Sequence, residues 1–221
     1  QFNLNTIGDL TNGKGYQAKM EVNDTLVIEG DLVPYDLPLE LTSGWGIMGY
    51  LHEEPNDPAD MMAPLIGDYD ASINGYPNSD LVIMKDETGS VFWPQFNLNT
   101  IGTMKKDKGY QVKMDITSNF SYPASAGRLA YVDPIRTVYY ESAHNTGNNM
   151  TIGLPLTSWE VTPVIGDEIA AYDESGKLIG STLFNGENIA LTVWGDDLTT
   201  DAKDGLAIGE KVTFKLWNAD M

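Results

Sequence analysis

The chain contains no cysteine, so disulfides, thiol nucleophiles and thiolate metal sites are excluded together. Only two histidines, His52 and His144, could act as imidazole bases or ligands. Both sit beside acidic or polar residues and read as surface side chains. Cations are scarce as well: 13 lysines and arginines against 32 aspartates and glutamates give a net charge of −19. Such a surface repels nucleic acid and anionic membranes while favouring solubility and cation binding. No run approaches the ~18 apolar residues of a membrane-spanning helix. Gln1 opens neither a signal peptide nor an obvious natural N-terminus, and the sequence reads as a segment of something longer.

What the chain does have is a repeat. Residues 95–114, QFNLNTIGTMKKDKGYQVKM, return 14 of the 20 positions of residues 1–20, QFNLNTIGDLTNGKGYQAKM, at an offset of 94 residues. That spacing exceeds solenoid periods and is close to a small independent domain. The first copy therefore reads as the end of a preceding unit of the same kind. Its stretch Gly8 to Gly15 nearly spells the phosphate-binding pattern G-x-x-x-x-G-K-[ST], but the second copy serves as a control. There the Gly13 position is Asp107, and in both copies the magnesium-holding hydroxyl is replaced by glycine, Gly15 and Gly109. A carboxylate repels a triphosphate, and without the hydroxyl the metal is unplaced, so the motif reads as a tight turn feeding a strand.

At 221 residues and 42% hydrophobic content the chain suits one large domain or two of about 100 residues. Alternating strand signals dominate: TLVIEG (25–30), DLVIMKD (80–86), SVFWPQF (90–96), GYQVKMDI (109–116), EIAAYD (168–173), KLIGSTL (177–183), NIALTVWG (188–195) and KVTFKLW (211–217). KDETGS (85–90) and DESGKL (173–178) predict two similar hairpin loops in which Gly89 and Gly176 supply positive φ. One short helix is expected over DPADMMAPLI (57–66), capped by Asp57 with Pro58 first. The expected fold is all-β: tandem β-sandwich-like modules with one short helix, the chain starting inside a preceding repeat. The expected boundaries are a repeat remnant over 1–22, a complete module over 37–115 and a second-type module over 128–221, with SNFSYPASAGR (118–128) as the candidate linker.

The pieces Gly44-Trp45, Lys85-Asp86, Trp93-Pro94, Ile101-Gly102 and Gly109-Tyr110-Gln111 give the first module a pattern. It resembles a module of large secreted proteins of Bacteroidota, of the kind exported by the type IX secretion system. GDEIAAYDESGKLIGS (166–181) and VWGDDLTTDAKDGLAIGEKVTFKLW (193–217) resemble another unit from the same class. The resemblance implies an extracellular or bacterial cell-surface location and a modular architecture, as in an adhesin, sheath or appendage protein. The C-terminal sorting domain expected of such cargo is not in this chain, which again suggests an internal segment.

Asp196, Asp197, Asp201 and Asp204 form an acidic stretch that invites a calcium reading. It does not fit the EF-hand register, because placing Gly205 sixth puts Thr200, Ala202 and Lys211 where carboxylates belong. An irregular calcium site and a solvated acidic loop both remain open. Trp159 and Tyr76, flanked by turn residues, are the aromatics expected to be exposed and are candidate glycan contacts. Asp24-Thr25-Leu26 resembles the O-glycosylation sequence of Bacteroidota, which makes Thr25 a candidate modification site. No carboxylate pair, histidine or serine stands in a catalytic setting. The functional expectation is a non-catalytic structural or adhesive repeat segment, partnered by neighbouring modules, by homo-oligomeric assembly or by surface glycans. The alternative is a carbohydrate-binding accessory region of a secreted polysaccharide-degrading enzyme.

Overall fold

The computed structural model describes residues 5–20, 22, 24–27, 29–125 and 137–218. Residues 1–4 of the first repeat copy and the expected module start at residue 128 lie outside the described residues. Among the described residues strands dominate, all paired strands run antiparallel, and the two α-helices are short, so the fold is all-β.

In the first group of strands, β2 (Gly44–Gly49), β6 (Gly109–Met114), β3 (Leu81–Lys85), β4 (Val91–Trp93) and β5 (Leu98–Asn99) form one sheet in the order β2-β6-β3-β4-β5. A separate pair joins β1 (Leu39–Leu41) to β7 (Ser118–Phe120). The expected helix is present but split. Asp57 caps α1 (Pro58–Met61) by accepting the Ala59 amide at 2.7 Å, and α2 (Ala63–Ile66) follows after Met62. Met61, Met62, Leu65 and Ile66 from this segment bury against Met48, Met84, Tyr110 and Met114 of the sheet. The alternation in GYQVKM supplies the core, since Tyr110, Val112 and Met114 point inward while Lys113 stays outside. The stretch expected as a linker begins as β7, and its apolar Phe120 and Tyr122 are both buried in this core. The first group therefore continues through Ser125, which donates to Asn56 Oδ1 at 2.6 Å.

In the second group, β10 (Leu178–Leu183), β9 (Glu168–Tyr172) and β12 (Thr213–Trp217) form one sheet, and β11 (Ile189–Trp194) pairs with β8 (Asn149–Leu154) in another. Ile169, Ala171, Ile179, Phe184, Leu191 and Val193 fill the space between them. A stretch expected as a strand, TLVIEG, has no strand among its described residues. Leu26 and Val27 stay exposed, because β propensity without a paired edge or covered face does not hold a strand.

The two groups meet through an apolar seam. Ile83, Val91 and Leu98 of the first sheet pack with Ala190 on the outer face of β11, joined by Trp93 and Phe96. Gly153 lets the Trp93 ring approach, since a Cβ there would stand 3.3 Å from Trp93 Cζ3. Thr192 Oγ1 donates to the Gly89 carbonyl at 2.6 Å, and Lys85 Nζ donates to Asn149 Oδ1 at 3.0 Å.

The near-phosphate motif has an architectural role. Gly15 N donates to Ile47 O at 3.0 Å and Gly49 N to Gly13 O at 2.9 Å, so this turn pairs with the outer edge of β2. Gly15 has no room for a side chain, because a Cβ would come within 2.4 Å of Ile47 Cγ2 and 3.0 Å of the Met48 carbonyl oxygen. An edge strand left open would offer its unpaired backbone to other chains, and the repeat copy covers part of it.

Candidate functional site

Where the strand groups and the first repeat copy converge, a groove of about 830 Å³ opens. Tyr16 and Lys19 line one wall, the Lys85–Glu87 hairpin end another, and Asn149, Trp194 and Asp197 the third. Lys85 is buried, stands 5.4 Å over the Trp45 ring and has its pKa lowered by burial. Lys19 crosses the groove to form an ion pair with Asp197 Oδ2 and also donates to Thr199 Oγ1 at 2.5 Å. Gln17 adds a bond to the Gly147 carbonyl at 3.3 Å. The first copy is thereby tied to both strand groups. The Lys19 bond, followed by bonds from the Thr199 side chain and amide, holds the Asp197 carboxyl down at about 2.

The acidic stretch is organised as a brace for its own loop. Asp196 Oδ1 accepts the amides of Asp204 at 2.8 Å and Gly205 at 3.3 Å, and Asp204 Oδ1 accepts the Asp197 amide at 2.8 Å. Asp197 Oδ1 takes both the amide and the hydroxyl of Thr199, at 2.9 and 2.7 Å, while Asp201 lies exposed. Three of the four candidate calcium ligands thus spend oxygens on backbone and side-chain donors. No group of three or more metal-ligating residues comes together among the described residues. No helix among them is long and apolar enough to cross a membrane.

The aromatic candidates are half-buried. Trp159 packs edge-on to Phe184 at a 6.4 Å centroid distance, and its indole N–H is buried without an acceptor among the described residues. Tyr76 packs against the first core and edge-on to Tyr69 at 5.4 Å. The exposed tryptophan is Trp45, 54% accessible on β2. A second aromatic surface arises where Tyr139 stacks on Trp217 at 4.7 Å with the rings 8° apart. Thr25 is exposed, its amide bonded to Asp24 Oδ1 at 2.7 Å. His52 is a correction to the surface reading. It is buried, stacked on Tyr35 at 4.7 Å, and its Nε2 donates to the Pro123 carbonyl at 2.9 Å. The carbonyl can only accept, so Nε2 of this ring carries a proton.

The two predicted hairpins form as expected and carry opposite electrostatics. Gly89 and Gly176 have φ of 83° and 85°. Asp86 Oδ1 accepts the Thr88 amide, the Thr88 hydroxyl and the Ser90 amide at 2.9, 2.7 and 2.9 Å. Asp173 Oδ1 repeats this with the Ser175 hydroxyl and the Lys177 amide at 2.7 and 2.8 Å. Asp173 has one more partner, Lys203 Nζ at 2.8 Å from Oδ2. Burial raises the Asp86 pKa more than its hydrogen bonds lower it. Burial also opposes the Asp173 charge, yet the bonds from Lys203, Ser175 and the Lys177 amide outweigh it and hold the carboxyl well below the usual range.

Asp→Asn is therefore a matched pair of experiments. Asp86→Asn keeps an oxygen for every Asp86 bond and removes a half-buried charge whose pKa burial raises, so stability at pH 7 should hold or rise. Asp173→Asn turns an amide NH₂ toward an ammonium and should lower Tm by about 2–4 °C, the shift that ~1 kcal/mol makes in a chain of about 150–250 residues. The pH dependence follows the same signs. The Asp173 contribution is complete above the ordinary aspartate value of about 3.9 and is lost as pH falls toward its depressed folded value. Thermal melts from pH 7 to pH 2 should show a shallower acid loss in Asp173→Asn than in the parent. Equal Tm changes in the two variants would refute the contrast.

No family model, curated protein or solved structure matches this chain.

Proposed function

We propose that this chain is a structural or adhesive repeat segment of a long secreted surface or appendage protein, with no catalytic role of its own. The observation that carries the reading is the joint. Two groups of β-strands share an apolar seam, and the repeat copy crosses from the edge of β2 to Asp197, so reach and stiffness are built into the contact between them. Flexible tethers present no such buried surface. The acidic surface, with its net charge of −19, keeps a long exposed array soluble. Neighbouring modules are the partners, and an extracellular or bacterial cell-surface location is what the sequence resemblance and the candidate modification at Thr25 imply.

Source material tests this directly. A denaturing gel with surface protease shaving should reveal a polypeptide far above 24.2 kDa that is clipped on intact cells. An unclipped intracellular chain of 24.2 kDa would end the reading.

A second reading, a carbohydrate-binding accessory region, has one observation in its favour: the exposed Trp45 ring beside the Lys85 ammonium. An indole face of this kind stacks on sugar rings. If this reading holds, the chain is retained on an immobilised polysaccharide and Trp45→Ala elutes at the void. Elution of the parent chain at the void from every polysaccharide column removes it.

A further inference from the structure

The loops of the two repeat copies close alike, but only the second runs on into a paired strand, and the copies are buried differently. Asn5 Oδ1 accepts the Gly8 amide at 3.0 Å, and Asn99 Oδ1 accepts the Gly102 amide at 3.0 Å. The return bonds match as well, Asn5 Nδ2 to Gly8 O at 3.2 Å and Asn99 Nδ2 to Gly102 O at 2.9 Å. Tyr16 OH accepts the Thr11 amide at 2.8 Å where Tyr110 OH accepts the Lys105 amide at 2.9 Å. Gly13 and Asp107 both take left-handed backbone, at φ 77° and 61°. In the second copy Ile101, Met104 and Met114 are 2%, 0% and 2% exposed, whereas their counterparts Ile7, Leu10 and Met20 are 66%, 67% and 61% exposed.

Retaining the whole loop without its core places an apolar face on the surface, and contiguous faces of this kind mark contact sites. The second copy shows what covers such a face. Ile101, Met104, Tyr110 and Met114 lie in one cluster with Met48, Met61, Leu81, Met84 and Phe92, all from residues 37–94. We infer that the Ile7, Leu10, Tyr16 and Met20 face is a docking surface for a segment with the pattern of residues 37–94, so that the first copy completes the core of a preceding module. The same copy lies on β2 of the following module through Gly13 and Gly15. The first copy then serves two modules, closing the core of one and capping the sheet edge of the next. Another copy of this chain is the poorer occupant, because its own residues 95–114 already fill the corresponding place.

The inference rests on the tandem-module reading and can be tested apart from it. Residue 94 precedes Gln95 in the second copy as the fused segment would precede Gln1, so a second copy of residues 37–94 joined directly ahead of Gln1 of the full chain recreates the register. Hydrogen exchange is read at residues 7–20, with Ile101–Met114 of the same molecule as the internal standard. The expected result is that Ile7–Met20 amides gain protection comparable to Ile101–Met114, that the fused protein stays monomeric, and that Ile7→Asp with Met20→Asp abolishes the gain. Both positions are exposed in the unfused chain, so the double variant leaves its fold intact. Unprotected 7–20 amides in the fusion, whether the added segment folds or not, would overturn the inference. So would concentration-dependent protection of 7–20 in the unfused chain, which would make a second copy the occupant. Native size on a gel leaves these outcomes untouched, so failure here is distinct from failure of the long-chain reading.

Discussion

Gly180→Val is expected to unfold the second strand group at 25 °C, at a cost of more than about 4 kcal/mol. Gly180 lies where β10 of one sheet passes against β11 of the other, and a Cβ there would sit 2.2 Å from the Thr192 carbonyl oxygen and 3.1 Å from its carbonyl carbon. These are backbone atoms in a paired strand, so no rotamer change relieves the clash. The two sheets would have to part, and Ile179, Leu191 and Val193 would lose their packing. Gly176 provides the contrast within the same hairpin. It needs its positive φ of 85°, yet a Cβ there meets nothing within 4 Å. Gly176→Ala should cost only about 1 kcal/mol, the strain of a left-handed alanine. Urea unfolding of both variants reads the difference, and Gly180→Val as stable as Gly176→Ala would show that the sheets have slack at this crossing.

The hairpins around Gly89 and Gly176 were legible because an aspartate, a polar turn and a glycine act locally, through bonds spanning at most four residues. The repeat was legible for a related reason: its loop closes on its own Asn and Tyr side chains. Strand β2 was not. Its sequence GWGIMG carries three glycines and a poor alternation, and it becomes a strand because β6 pairs along its length. TLVIEG failed in the opposite direction, rich in propensity but without a partner. Among candidate site residues, the acidic loop was recognisable as a cluster. Its use as a brace depends on which way the Asp196 and Asp204 oxygens face, and composition does not carry that. Exposure of aromatics was equally hidden. Trp45 lies open on β2 with the Lys85 ammonium over its ring, whereas Trp159 folds back toward Phe184.

Glu168 has the second large effect, and it bears on how the strand groups would carry load. Its carboxylate is buried at the start of β9 and accepts three successive amides: Val138 at 2.5 Å and Tyr139 at 2.9 Å on Oε1, then Tyr139 at 3.0 Å and Tyr140 at 2.8 Å on Oε2. The strap so held lies over the outer face of the β10-β9-β12 sheet. Thr137 reaches Ser181 Oγ at 3.2 Å, Tyr139 stacks on Trp217, and Ser181 Oγ donates to Glu141 O at 3.2 Å. This strap is the described segment that leads into the second strand group, so tension on the chain from its N-terminal side would reach the sheet through this clamp. Glu168→Ala should cost about 3 kcal/mol, since hydrogen bonds to a charged group are worth more than neutral ones and three amides lose their acceptor. Glu168→Gln is the sharper test. Both Glu168 oxygens accept amide donors, and a glutamine must turn its NH₂ toward one pair of them, so it should recover less than half of the loss despite its matching shape. Equilibrium unfolding gives the magnitude, and hydrogen exchange at residues 138–140 should show the strap released in both variants. A glutamine variant with parental stability and protected amides would mean that packing of Tyr139 and Tyr140, rather than the carboxylate, holds the strap, and the load path would have to be redrawn through the aromatic stack.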